Sequence, residues 1–190
     1  VDFNSHSAIA GKHALLSPSS YHWINYSIEK LEARVASATA AEYGTQLHDL
    51  AHKAIVLGIK LHTSNKTMSK YVNDAIGYKM TPEQPLYYSD NCFGTADTIG
   101  FSTTHKSRPM LRIHDLKTGV TPASVHQLEV YAAIFCLEYG YSPYDMDMEF
   151  RIYQNDDVQV WVGDPNVIAD IMDTIVEFDT RINFIRQRGV

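Results

Sequence analysis

Asp97, Asp115 and Lys117 are the residues of this chain whose types and spacing best suit chemistry. Asp97 closes Gly94-Thr95-Ala96-Asp97, and 18 residues later comes Asp115-Leu116-Lys117-Thr118-Gly119. Side chains alternate along a strand, so Asp115 and Lys117 leave one face and Leu116 the other. If the strand carrying Asp97 pairs with that of Asp115, two carboxylates converge, and their repulsion calls for a cation. Oxygen donors of this kind suit Mg²⁺ or Mn²⁺, which bind through a few carboxylates and keep several waters. A lysine two positions from a ligating aspartate can orient an attacking water or take up charge on a phosphoryl oxygen. Taken singly, each also reads as a strand-end carboxylate or a solvated turn lysine.

Two further pairs stand at helical spacing. Gly44 and His48 are four apart, which stacks them on one helix face, with Gly44 permitting close approach and His48 offering a nitrogen ligand. Gln127 and Tyr131 are likewise four apart, positioned to face the carboxylates or a nucleic-acid backbone. A competing chemistry lies in His48-Asp49-Leu50-Ala51-His52, because two histidines four apart on a helix can hold zinc. Asp49 is one methylene short of the general base that a metalloprotease needs, and no convincing third ligand follows. His126 reads as a surface residue or one near DNA, without a ligand role.

These residues need elements to position them. Ser17-Pro18 has the form of an N-cap with proline in the first turn, and Tyr21, Ile24, Ile28 and Leu31 follow at helical spacing. From about Ala38 to Ile59 the periodicity predicts a long, largely buried helix, and Thr67 to Ile76 adds another turn or two. Leu86 to Tyr88, Cys92 to Phe101 and Met110 to Leu116 read as three strands. Ala123 to Tyr139 reads as a helix closed by Gly140. Met146 to Tyr153 and Val158 to Val162 add two strands around the Asn155-Asp156-Asp157 turn, and Asp164-Pro165 opens a final amphipathic helix. Helix, three strands, helix, two strands, helix predicts an α/β (α+β) fold with a mixed central sheet flanked by helices.

In this order, Gly44-x-x-x-His48, Gly94-x-x-Asp97, Asp115-x-Lys117 and Gln127-x-x-x-Tyr131 resemble the RecB-type branch of the PD-(D/E)XK nucleases, which includes CRISPR-adaptation and phage recombination exonucleases. Leu16-Ser17-Pro18-Ser19-Ser20 followed by Trp23 resembles the start of its phage and prophage members. The resemblance implies a restriction-endonuclease-like core and a DNA exonuclease acting at ends in phage or mobile-element recombination. A structure-selective endonuclease and a non-catalytic DNA-binding module are its rivals. It implies one or two Mg²⁺ or Mn²⁺ ions held by His48, Asp97, Asp115 and the backbone carbonyl of Leu116. Catalysis would fall to Asp97, Asp115, Lys117, Gln127 and Tyr131. DNA would be held by Gln127 and Tyr131 and, if a phosphate sits at the first helix start, by Ser17, Ser19 and Ser20, although capping explains those serines as well. Implied partners are DNA with a free end and a single-strand annealing or recombination protein, and a homo-oligomer is compatible. No iron-sulfur cluster is expected, since Cys92 and Cys136 do not fall in a four-cysteine pattern.

Composition sets the frame. The 190 residues carry 16 Lys+Arg against 22 Asp+Glu, a net charge of −6, with 45% hydrophobic and 20% charged residues. Such a profile predicts one globular domain over residues 1–190 and excludes collagen-like or disordered chains. No apolar run approaches a membrane span and the first residues lack signal-peptide character, so a cytoplasmic address, the host's if phage-encoded, is expected. An acidic balance argues against binding DNA by a uniformly basic surface. The expectation is instead a local basic track, with Lys12, Lys117, Arg181, Arg186 and Arg188 as candidates, beside an acidic metal centre. Trp23, Tyr21 and Tyr26 could stack on bases or pack in the core.

Overall fold

The computed structural model describes residues 14–103 and 108–188, so Lys12 lies outside the described residues. The chain divides into two compact units, Val1–Thr45 and Gln46–Val190. In the first, Pro18 opens a 3₁₀ helix over Pro18–Asn25, kinked at Ser20. Ser17 occupies its N-cap position without a side-chain cap bond; its Oγ lies 2.9 Å from Ser19 Oγ, and its carbonyl accepts from Trp23 Nε1 at 2.9 Å. Ser27 Oγ then accepts from the Lys30 N–H at 3.2 Å and starts α1 (Ile28–Leu57). The single helical region expected after Ser17 is therefore two, with Ile28 and Leu31 belonging to α1. That helix begins ten residues before Ala38.

Nor is α1 largely buried. Tyr43, Leu50, Val56 and Leu57 are exposed, while Ala51, Ala54 and Ile55 are buried, with Leu47 packed beside them. Leu47, Ala51, Ala54 and Ile55 form one stripe at steps of three and four; Leu50 and Leu57 lie at its margin and Val56 on the far side. The buried apolar residues cover a single face, so the helix is not largely buried.

The second unit is built on a five-stranded mixed sheet. Its elements are α2 (Lys66–Gly77), β1 (Thr81–Ser89), β2 (Cys92–Ser102), β3 (Met110–Leu116), α3 (His126–Tyr139), β4 (Asp147–Gln154), β5 (Asp157–Val162) and α4 (Pro165–Gln187). Strands follow the order β1-β2-β3-β4-β5, antiparallel except for β3 and β4, which run parallel and are joined across α3. A parallel pair needs such a crossover, whereas β1–β2 and β4–β5 close through two-residue turns. Asn155 and Asp156 both take left-handed φ (52° and 61°), as a tight hairpin requires. Gly140, at φ 70°, caps α3 as expected and donates its N–H to the Cys136 carbonyl.

Helices cover both faces of the sheet. On one, α3 and α4 bury Leu128, Ala132, Phe135 and Ile168 against Ala96, Ile113, Phe150 and Ile152. On the other, α2 and the α1 residues from Ala51 pack Tyr71, Val72 and Ala75 against Leu116 and Tyr153. The fold is thus α/β, a mixed sheet flanked by helices. No helix among the described residues is long and apolar enough to cross a membrane.

Candidate metal centre

The three central carboxylates stand on neighbouring strands at one level of the sheet. In β1 and β2 the pairs Pro82↔Thr98 and Gln84↔Ala96 bracket Glu83 and Asp97, which therefore lie opposite each other. Between β2 and β3 the last pair is Thr98↔His114, so Asp97 and Asp115 are the next positions, where the ladder stops. Glu83 has a left-handed φ of 49°, uncommon for a residue with a Cβ and held only where its surroundings fix it.

His48 enters from α1. Its Nδ1 lies 3.7 Å from Asp97 Oδ2, and one ligand atom each from His48, Glu83 and Asp97 lies within 4.8 Å of the others. Asp97 Oδ2 also accepts from the Leu116 N–H at 2.9 Å. Leu116 thus meets the site through its amide, while its side chain fills the α2-side core. Burial holds the Asp97 carboxyl above the usual carboxylate range, opposed by the Leu116 amide and His48, and reinforced by the Glu83 charge.

Asp115 turns elsewhere. Alternation along β3 puts it with Leu111 and Ile113, toward α3, and its Oδ1 accepts from Lys117 Nζ at 3.1 Å. Its Oδ2 is 3.0 Å from the same ammonium, an ion-pair distance, but is buried and receives no aligned hydrogen bond. Burial, then the charge of Asp97, raises the Asp115 carboxyl, and Lys117 pulls it back. Lys117 Nζ also donates to Gln127 Oε1 on α3 at 3.2 Å. One turn later, Tyr131 Oη donates to the Thr95 carbonyl at 2.6 Å, and its ring lies where a Cβ on Gly94 would sit only 3.1 Å from Cε1. Gly94 is needed for that ring to approach β2.

The geometry brings together His48, Asp97, Asp115, Lys117, Gln127 and Tyr131, all singled out from sequence. It adds Glu83 to the group with metal-ligand spacing, while Asp115 sits beside that group, engaged by Lys117. Glu83 escaped sequence reading because Pro82 and Pro85 argue against a strand there. Both prolines are tolerated because β1 is a sheet edge. Folding the strands about Asp90-Asn91, which pairs Ser89 with Cys92, would set Glu83 against Thr98; the register shift between Tyr87 and Ser89 is what brings it opposite Asp97. His52 belongs to no such group among the described residues, and His126 Nδ1 pairs with Glu129 on the surface at 2.7 Å. Ser17, Ser19 and Ser20 belong to the first unit. Tyr21 is exposed there beside His22, and Lys30 lies over the Tyr26 ring. On α4, Arg186 bonds Asn91, while Arg181 and Arg188 lie against Phe184.

A nitrogen and carboxylate oxygens around crowded, part-buried negative charge are a donor set that fits Mg²⁺ or Mn²⁺. The raised carboxyls point the same way, since a cation would offset both the burial that chiefly raises them and the repulsion that adds to it. Compared with models of known protein families, with curated proteins and with solved structures, the chain matches none.

Proposed function

We propose that this protein is a metal-dependent deoxyribonuclease, acting at DNA ends as an exonuclease. The observation that carries the reading is the His48, Glu83 and Asp97 group set beside an Asp115–Lys117 pair on the adjoining strands. A His/carboxylate group alone would suit many roles. An ammonium held on the next strand by a buried carboxylate and an amide is what phosphoryl chemistry adds to it. The resemblance to RecB-type PD-(D/E)XK nucleases and their restriction-endonuclease-like core supports the same conclusion.

His48, Glu83 and Asp97 would hold Mg²⁺ or Mn²⁺, with Asp115 and the Leu116 carbonyl as further oxygen donors. When bound, such an ion activates water and stabilises charge on the phosphoryl and leaving oxygens. Lys117 supplies a proton donor and a positive charge beside the attacked phosphodiester. Asp115 and Gln127 fix the ammonium so that little reorganisation is required as charge develops. Tyr131 ties α3 to β2 and so keeps Gln127 in register with Asp97. A free DNA end, an annealing or recombination protein as partner, and a cytoplasmic site of action complete the proposal.

The test is cleavage of end-labelled linear, closed circular and single-stranded DNA with Mg²⁺ or Mn²⁺. An exonuclease degrades linear DNA and spares closed circles; cut circles would make it an endonuclease. Lys117→Ala should lower the rate by about 10²–10³ while the Mn²⁺-induced rise in melting temperature persists. Equal inactivity of wild type and Lys117→Ala on every DNA form would leave a DNA-binding module.

A further inference from the structure

The face of the β1–β2 hairpin that carries Glu83 and Asp97 continues outward into a pair of exposed aromatic rings. Phe93, Thr95 and Asp97 alternate onto one face of β2, opposite Gly94 and Ala96, which face α3. Their cross-strand partners are Tyr87, Pro85 and, opposite Asp97, Glu83. Tyr87 and Phe93 are stacked, with ring centroids 6.3 Å apart and planes 26° from parallel. Nevertheless 49% of Tyr87 and 67% of Phe93 remain exposed. Tyr87 is held in place, its Oη donating to Asp90 Oδ1 at 2.9 Å and its N–H to Glu138 Oε2 at 2.8 Å. The rings lie four residues along the strands from the metal group, roughly 13 Å.

We propose that Tyr87 and Phe93 form a platform on which unpaired bases of a single DNA strand stack as its backbone runs to the His48, Glu83 and Asp97 site. The inference rests on the nuclease reading of that site and specifies its substrate as a single-stranded end. Base faces are free for stacking in a single strand and covered within a duplex. Ring stacking also tolerates any base, as a non-specific DNA-end enzyme requires. A 13 Å lead is about four nucleotides at roughly 3.4 Å each, and fewer in an extended strand. Two side-by-side rings therefore mark where the strand is gripped just before it is cut.

The experiment measures binding of a single-stranded 12-mer carrying 2-aminopurine, with Ca²⁺ replacing Mg²⁺ to separate binding from cleavage. Wild type should quench the 2-aminopurine on binding and prefer the single strand to a blunt duplex of the same sequence. Tyr87→Ala/Phe93→Ala should weaken binding at least about tenfold and lose the quench. Tyr87→Trp/Phe93→Trp should retain binding. Unchanged affinity in the alanine variant, with or without a lowered melting temperature, assigns the pair to hairpin packing and overturns the platform. So does a wild type that fails to bind the single strand or binds the duplex equally well. Base stacking through the pair in a protein that cleaves no DNA with Mg²⁺ or Mn²⁺ would overturn the nuclease reading and leave the platform standing.

Discussion

Replacing Glu83 with glutamine should move the protein's stability in opposite directions with and without a divalent ion. Glutamine keeps the shape and the left-handed backbone at position 83 but removes one charge from a group whose ligand atoms lie within 4.8 Å. Two like charges at that separation repel by about 3.5 kcal/mol at an effective dielectric constant near 20. Glu83 is exposed, so solvent screening reduces this to about 1 kcal/mol. Without metal, Glu83→Gln should therefore melt higher by about 2–4 °C for a chain of this size. With Mn²⁺ the loss of a charged ligand should weaken affinity about tenfold or more, which takes about 1.4 kcal/mol from the ion's stabilisation at a given concentration. The Mn²⁺-induced rise should then shrink by about 3–6 °C. Thermal melts in EDTA and across a Mn²⁺ titration read both effects. A variant whose Mn²⁺-induced rise equals that of wild type would refute Glu83 as a ligand, whatever happens in EDTA.

Two other perturbations probe the supports of the site. Gly94→Ala puts a Cβ 3.1 Å from the Tyr131 ring, so it should cost about 1–3 kcal/mol in urea melts and lower activity; pairing it with Tyr131→Leu should recover most of the stability, and failure to do so would mean that Gly94 serves another purpose. His114 is fully buried beside Tyr153, and burial with the charges of Arg151 and Arg112 pushes its pKa down to about 3. The unfolded chain takes up a proton near pH 6.5 that the folded one refuses, so His114 makes stability fall as pH drops from about 6.5 toward 3, by at most about 1.4 kcal/mol per pH unit. The raised carboxyls of Asp97 and Asp115 act oppositely, since on acidification they protonate in the folded state before the unfolded one. His114→Leu should flatten the loss between pH 6.5 and 4 in urea melts, and an unchanged slope would rule out His114 as its source.

Much of the scaffold was legible because its signals are local. Met110 to Leu116 is a short β-prone run with turn residues beyond it, and Asp164-Pro165 and Gly140 bring their own capping chemistry, so the strand, helix start and helix stop fall where the sequence puts them. Shared facing of Asp115 and Lys117 follows from the two-residue period alone, and their ion pair agrees with it. The start of α1 was less legible: Ile28 and Leu31 continue the spacing of Tyr21 and Ile24, and only the break at Tyr26 and the Ser27 cap separate the two helices.

The residue types of the centre are written in the sequence, and which of them share a strand or a helix face follows from backbone periodicity alone. Tertiary structure decided the partners. Pairing of β1 with β2 set Glu83 against Asp97, and the end of pairing between β2 and β3 left Asp97 with His48 while Asp115 turned to Lys117 and α3. Such choices depend on strand register between segments far apart in the chain, and a shift of one residue would send every one of these side chains to the other face.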